Sequence, residues 1–494
     1  MSSNLANTLY GKFIGKENEN GVLSFKGIPY AKPPVGKLRW KRPIHPEHSN
    51  EAFEAYEFGL SCVQPIDEVE FSSVQAQGED CLTLNIWTRE LNVANKPVMV
   101  FIHGGGYIGG GSKNPAYDGE NFVNRHDIVF VSITYRCNVF GFMDLEEIGG
   151  SEYADSRNLG ILDQIQALKW IKENISHFGG DDDNITIFGE SAGGSSVSLL
   201  MTIPEAKGLF HKVIAQSGTS NFMKTVEMAK EITRDFIRIT GTNTMEELQS
   251  LSIDELRDYS YLLMKEYGYG HELMFSPVTD GKLIPEKPDE SIRDGCASGI
   301  KLMIGTTMDE LAYWKLYYEN LEDDEEMNNF LTQVCRVIGP DLGRSKEMIN
   351  EYLSLESPTN RMSLANEILF RIPAIRFAEY QSKHAPTWMY LFTWPSKIEG
   401  LGACHAVEVP FVFHNLNNPL VESFLGENPP EVLADQVQDA WVSFAKNNTP
   451  SHPNIPEWPA YDRDKRKTMV IHNEWRMEED PFRKERLTLE KIYD

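Results

Sequence analysis

The sequence predicts an α/β fold: a large, mostly parallel central sheet with helices on both faces. Two observations carry this. Short β-branched and aromatic runs of strand length alternate with segments of helical period through the first half of the chain, the pattern of βαβ units. Further strand-length runs recur in the second half, which extends the same sheet.

The elements come in this order. Pro97 to Ile102 is apolar, of strand length and closed by glycines, hence a buried strand; Ile128 to Tyr135 reads as a second. Leu162, Ile165, Leu168, Ile171 and Ile175 recur every three or four residues and argue for a helix ending near His177-Phe178-Gly179-Gly180. Ile185 to Gly189 is another buried strand, Ser195 to Met201 is helical, and Lys212 to Gln216 is a strand again. Later strands are expected at Lys301 to Gly305, Trp388 to Phe392 and Thr468 to Ile471. Phe222 to Tyr269 is helical in composition, contributes no clear strand, and reads as an insertion over the sheet edge.

A chain of 494 residues suggests about three domains by length alone. No repeat, low-complexity linker or boundary marker is present, so the chain is read as one domain over 1–494. With 41% hydrophobic and 24% charged residues it can bury a large core without staples. The 47 Lys and Arg against 73 Asp and Glu leave a net charge of −26, which repels nucleic acid and anionic lipid. The short acidic run Glu322 to Glu326 reads as a solvated surface. No signal peptide and no apolar run of membrane-spanning length are visible, so a cytoplasmic protein is the default expectation. The six cysteines show no metal-binding spacing and read as mostly buried thiols; Asn174, Asn184 and Asn447 start glycosylation-type triplets that carry no weight without secretion.

The sharpest chemical signal is Gly189-Glu190-Ser191-Ala192-Gly193, between a buried strand and a helical run. In that context G-x-S-x-G thrusts a serine out above a sheet, with the next backbone N–H at a helix N-terminus where an anion is favoured. His103-Gly104-Gly105-Gly106 follows the strand ending at Ile102, and its N–H groups can approach a carbonyl oxygen as it becomes negative. A serine alcohol needs a base oriented by an acid, and the expected chain order is Ser, acid, His. Candidate bases are His384, His405, His414, His452 and His472. Of these, His405 lies in the small-residue loop Gly402-Ala403-Cys404-His405-Ala406, whereas His452 and His472 suit a plain surface role. Asp309 and Glu310, after the strand ending near Gly305, compete as the acid, and spacing does not separate them.

The chain resembles the type-B carboxylesterases, large α/β-hydrolases that include cholinesterases and bacterial p-nitrobenzyl esterases. The resemblance rests on the run from Phe178-Gly179-Gly180 through Ile185 to Gly193 and on Glu79-Asp80-Cys81-Leu82-Thr83-Leu84-Asn85-Ile86-Trp87. Phe25 to Ala31, Tyr135-Arg136 with Phe140-Gly141-Phe142, Asn158 to Gln164, and Trp458 to Tyr461 extend it over nearly the whole chain. It implies the α/β-hydrolase fold with helical insertions over the active site, and a triad of Ser191, Glu310 and His405. It further implies oxyanion donors at Gly105, Gly106 and Ala192, a supporting carboxylate at Glu408 and serine at Ser217, and neither metal nor cofactor. Leu311 stands where many members have glycine after the catalytic glutamate, and Cys404 beside His405 reads as packing. Cys62 and Cys81 fall where secreted relatives form a disulfide; without an export signal they are expected as thiols.

The implied activity is hydrolysis of carboxylic esters of short to medium acyl chains through an acyl-enzyme, with broad specificity. Phe275, Leu311, Phe411 and Phe413 lie near functional segments and could line an apolar pocket, with core packing an equal reading. The rate is expected to fall as pH drops through the histidine's ordinary value near ~6.5. Amide, carbamate or lactone hydrolysis by the same triad is the alternative. A non-catalytic binding module is remote, because the serine, acid and histidine are all present. The partner is a small-molecule ester, with no nucleic acid and no membrane, and a monomer is favoured.

Overall fold

The computed structural model describes residues 4–65, 76–268, 273–318, 320–321, 323, 325–330, 332, 346–355 and 360–490. Met1 to Ser3, Tyr269, Glu322 and Asp324 lie outside the described residues, as does Cys335, one of the six cysteines. The chain divides into two compact units. The first comprises Met1–Phe188, Ile203–His211 and Met223–Glu286; the second comprises Gly189–Thr202, Lys212–Phe222 and Lys287–Asp494.

In the first unit the strand Lys96–Ile102 is buried at every residue, as its unbroken apolar run requires, and pairs in parallel with Val129–Ile133 from Val98↔Val129 to Ile102↔Ile133. Thr83–Thr88 pairs antiparallel with Val129–Ile133, and Leu23–Pro29 antiparallel with Thr83–Thr88. The register of that last pair shifts between Phe25 and Ile28. Gly27 causes the bulge: its φ is +70°, its N–H turns to the Asn85 side chain at 2.9 Å, and a Cβ there would meet the Glu57 carbonyl at 2.6 Å.

The predicted helix runs Leu159–Asn174 and tightens into a 3₁₀ turn, Ile175–Phe178, before Gly179 at φ +89°. It is buried nearly all round, and its Asp163 holds the Arg136 guanidinium at 2.7 and 2.8 Å in a fully desolvated pair. Breaking one side of such a pair leaves a bare charge inside, costing about 3–5 kcal/mol.

The stretch after Phe222 is helical as composition indicates: Val226–Thr240, Met245–Ser250 and Ile253–Tyr267, the last two started by capping boxes at Thr244/Glu247 and Ser252/Glu255. It does contain a strand, however. Lys224–Thr225 pairs in parallel with Val278–Thr279, too short a segment to show a period. The Asn158 amide pairs with both the carbonyl and the N–H of Val278, at 2.9 and 2.8 Å, as a further strand residue would.

In the second unit Lys212–Gln216, Lys301–Thr307, Thr387–Phe392 and Lys467–Ile471 pair in that order, all parallel. Arg476–Glu479 closes the end as an antiparallel strand. The predicted strands stand within two residues of their expected limits except the one expected from Ile185, which begins five residues earlier, at Gly180. The helix expected from Ser195 begins three residues earlier, at Ala192. Gly193 and Gly194 masked its first turn, since glycine is a poor helix former. Gly194 is required there, because a Cβ would lie 2.4 Å from the Gln216 carbonyl.

Candidate active site

Ser191 sits between the strand Gly180–Glu190 and the helix Ala192–Leu200, with φ 58° and ψ −123°. That backbone is strained for any residue with a side chain, and bonds on both sides hold it. The Ser191 N–H donates to the Gln216 carbonyl at 2.9 Å, and the Ser191 carbonyl accepts from the Ser195 N–H at 2.8 Å. The chain at 216–218 passes so close that a Cβ on Gly218 would lie 2.2 Å from the Ser191 carbonyl. The turn therefore stores its strain at the serine, with glycines on the neighbouring backbone making room.

The second unit gathers Glu310 and His405 beside this turn. His405 Nδ1 lies 2.6 Å from Glu310 Oε2, and the other carboxylate oxygen accepts the Thr307 N–H at 2.8 Å. Both side chains are buried. Asp309 points elsewhere. Its carboxylate accepts the Ala403 N–H at 2.9 Å, and its own N–H donates to the Ala403 carbonyl at 2.9 Å. It clips the loop that carries the histidine to the loop that carries Glu310. The clip presses on Gly402, where φ is +55° and a Cβ would meet the Asp309 carboxylate at 2.6 Å.

The sequence reading missed Glu190. Its Oε1 lies 3.1 Å from His405 Nε2. Burial alone would depress the imidazole, but Glu190 first, then Glu310, and more weakly Glu408, overcome it and push His405 up to about 9. The expected value near ~6.5 is therefore displaced, because carboxylates face both ring nitrogens.

Behind the pair runs a buried chain. Trp441 Nε1 donates to Gln216 Oε1 at 3.0 Å, and Gln216 Nε2 donates to Glu408 Oε1 at 3.0 Å. Burial pushes Glu408 up to about 7; the Gln216 bond opposes this and the Glu310 charge adds to it. Ser217 is fully buried at φ 47°, its N–H on the Gly305 carbonyl at 2.9 Å. Its hydroxyl has no hydrogen-bond partner among the described residues.

Aromatic rings that the sequence reading did not select surround the histidine. The Trp314 and Phe370 centroids each lie 5.2 Å from the imidazole and Tyr313 lies 5.9 Å away. Tyr313 and Trp314 belong to the 3₁₀ segment Glu310–Leu316, three and four residues after the acid, a spacing that could have flagged them. Phe370 comes from a π-helical stretch, Glu367–Arg371, between the helices Arg361–Asn366 and Ile372–Gln381. Asn366 anchors that stretch by accepting the Leu311 N–H at 2.8 Å.

Of the expected pocket residues, Leu311 is buried beside this wall. Phe411 packs on Trp394 and Phe392, 5.0 and 5.7 Å between centroids, and Phe413 is buried. Phe275 belongs to the first unit, buried 5.8 Å from the Lys224 ammonium.

Gly105 and Gly106 also lie in the first unit, with φ of +106° and +59°. The Ile108 and Gly109 N–H groups close a tight loop on the Gly105 carbonyl at 3.0 and 3.1 Å, and a Cβ on Gly105 would meet the Gly109 carbonyl at 2.6 Å. His103 before them is buried and stacked 4.4 Å from Tyr135; burial pushes it down to about 4, so it is neutral. Ala192 opens the helix after Ser191. No helix among the described residues is long and apolar enough to cross a membrane.

Comparison with known proteins places the whole chain among esterases. The model of the carboxylesterase family matches residues 2–489. The chain is 40% identical to a para-nitrobenzyl esterase of Bacillus subtilis (strain 168), with 99% of each chain covered. It is 31% identical to a phenmedipham hydrolase of Pseudarthrobacter oxydans over 95% of each. Among solved structures, a Geobacillus stearothermophilus carboxylesterase superposes with a TM-score of 0.88 at 38% identity, covering 98% of this chain and 99% of that one. A p-nitrobenzyl esterase structure gives 0.89 at 39%, covering 99% of each.

Proposed function

The chain belongs to the carboxylesterase family and hydrolyses carboxylic esters, and from that premise we infer that Ser191 is the nucleophile, His405 the general base and Glu310 the acid that orients it. The observation that carries this reading is the 2.6 Å contact between Glu310 and His405 Nδ1 beside a serine held at φ 58°.

In this reading Ser191 Oγ attacks the ester carbonyl as His405 Nε2 takes its proton, and Glu310 stabilises the imidazolium that results. Glu190, 3.1 Å from the same nitrogen, adds to that stabilisation. The N–H groups of Gly105, Gly106 and Ala192 receive the oxyanion, by the family resemblance and because positive φ at both glycines suits them to close backbone approach. The alcohol leaves with the proton from His405. Water, deprotonated by the same nitrogen, then cleaves the acyl-enzyme to the carboxylic acid.

Tyr313, Trp314 and Phe370 give the substrate an apolar, aromatic surround at the base. Such walls separate neighbouring acyl chains by about 1–3 kcal/mol per methylene, so broad acceptance of short to medium acyl esters follows. Neither a metal nor an organic cofactor has a part in this chemistry.

The test is p-nitrophenyl butyrate hydrolysis by the parent protein beside Ser191→Ala. Turnover in the parent with a loss of at least about 10⁴-fold in the variant supports the assignment. Equal rates would show that another residue is the nucleophile. An idle but folded parent would turn the reading toward amide, carbamate or lactone substrates.

A further inference from the structure

The loop that carries Gly105 and Gly106 holds an unfavourable backbone. Gly105, Gly106 and Tyr107 have φ of +106°, +59° and +61° in succession, and Gly110 has +104°. Tyr107 carries a side chain in the left-handed region and is strained there. The loop's own bonds, from the Ile108 and Gly109 N–H groups to the Gly105 carbonyl, leave the carbonyls of Tyr107, Ile108 and Gly109 to other partners.

One short segment meets all three. The Asn138 N–H donates to the Tyr107 carbonyl at 2.7 Å, Asn138 Nδ2 donates to the Ile108 carbonyl at 3.0 Å, and the Cys137 thiol donates to the Gly109 carbonyl at 3.6 Å. Asn138 Nδ2 also donates to the Val63 carbonyl at 2.7 Å, and Oδ1 accepts the Phe140 N–H at 3.4 Å. The residue is buried at φ 44°, a left-handed backbone that asparagine enters more readily than most.

Gln64, next to Val63, grips the far end of the loop. Its Oε1 accepts the Gly110 N–H at 2.7 Å, while Nε2 donates to the Gly110 carbonyl at 2.9 Å and to the Cys62 carbonyl at 3.0 Å. The fit is close, since a Cβ on Gly109 would lie 2.4 Å from Gln64 Oε1. Gln64 is buried as well, and the whole arrangement lies in the first unit. Both positions demand donation to carbonyls and acceptance from an N–H at once, which a carboxamide provides and a carboxylate or hydrocarbon of its size does not.

We propose that Asn138 and Gln64 are positioning residues for ester hydrolysis, holding the Gly105–Gly106 backbone in the shape that receives the oxyanion; this rests on the oxyanion role proposed above for those glycines.

A strained backbone persists only where its surroundings over-determine it. Oxyanion donors stabilise charge because they are fixed before that charge develops. Without the two amides the loop can relax its left-handed residues, and the Gly105 and Gly106 N–H groups then swing off their target. A displacement of about 1 Å costs on the order of 10²-fold in rate. The loss falls on kcat and leaves KM, because the oxyanion exists in the transition state and not in the bound ester. Neither amide titrates, so the pH profile keeps its shape.

The experiment compares the full-length parent with Asn138→Gly, Asn138→Asp and Gln64→Met. Asn138→Gly keeps the left-handed backbone and the N–H to Tyr107 while removing the amide. Hydrogen exchange of the peptide from His103 to Asn114, followed by mass spectrometry, reads the loop independently of activity. Hydrolysis of p-nitrophenyl butyrate gives kcat and KM. A trifluoromethyl ketone, whose serine adduct carries an oxyanion, reads the donors without turnover. In Asn138→Gly and Gln64→Met the loop should exchange faster, kcat should fall about 10–100-fold with KM within about twofold, and ketone affinity should weaken in step with kcat/KM. Gln64→Met gives the answer alone if the Asn138 variants do not fold. Loop exchange equal to the parent's overturns the proposal whatever the activity. Full activity in Asn138→Asp, which keeps the shape and loses the donors, overturns it too. Faster exchange with kcat and ketone affinity unchanged overturns the catalytic role, and the failure then lies with the oxyanion reading of Gly105 and Gly106, not with the anchoring.

Discussion

Replacing Glu190 by glutamine should move the acid limb of the pH–rate profile. In the parent, carboxylates face both nitrogens of His405 at 3.1 and 2.6 Å and raise it from 6.5 to about 9 against the pull of burial. A rise of that size corresponds to about 3 kcal/mol in favour of the imidazolium. At pH 7 only about 1% of the resting enzyme then holds the neutral base, and kcat/KM should climb roughly tenfold per pH unit up to about 9. Glu190 is the largest favourable contribution, and an opposite charge at this distance moves a titrating group by about 1–3 units. Glu190→Gln keeps the shape and removes the charge, so the limb should fall to between about 6 and 8. Glu310 and Glu408 continue to face the ring. The alkaline plateau should drop as well, because the charge that favours the imidazolium at rest also favours it in the transition state. Acid release from p-nitrophenyl butyrate, followed by pH-stat from pH 5 to 10, measures both quantities. A parent limb near 6.5, or a limb unmoved in the variant, would refute the reasoning.

Other consequences are as direct. Glu310→Gln should cost about 10⁴-fold in kcat by losing the charge on Nδ1. Asp309→Ala should spare most of kcat but lower urea stability by about 1–2 kcal/mol, because the Ala403 N–H loses its acceptor. Trp441→Phe removes the indole donor to Gln216 and should cost about 1–3 kcal/mol in the same measurement. Lys224 is buried with its ammonium on the Met274 carbonyl, and burial pushes it down to about 7, only partly offset by Asp144. Between pH 7 and 10.5 the unfolded chain holds a proton that the folded one lacks, so parent stability gains up to about 5 kcal/mol across that window. Lys224→Met removes this gain, so its stability relative to the parent should decline from pH 7 to 10, as measured by thermal unfolding.

What could be read in the sequence was whatever the backbone had to write as glycine or as an unbroken apolar run. The strands Lys96–Ile102 and Lys212–Gln216 are buried at every residue and Lys301–Thr307 at all but its first, around the apolar cores Val98–Ile102, Val213–Ala215 and Leu302–Ile304. The serine turn was legible because its neighbours must be small. Side-chain direction was not. Asp309 and Glu310 are adjacent carboxylates, and only the path of the chain sends one to Ala403 and the other to His405. Glu190 stood inside the recognised motif, yet its reach to His405 depends on how the strand ends at the turn. Phe370 was invisible because a π turn keeps no 3.6-residue period.

That turn carries an implication for how such a site could diverge. A π turn holds one residue more than the α-helix on either side of it. Deleting a single residue within Glu367–Arg371 would remove that extra residue and let the helix close into regular α geometry with the turns on either side still in phase. Asn366 would keep the Leu311 N–H, while the side chains of the turn itself, Phe370 among them, would take new directions beside His405. The ring beside the base is thus set by chain length as well as by residue identity. A relative one residue shorter here could accept different esters with every catalytic side chain in place.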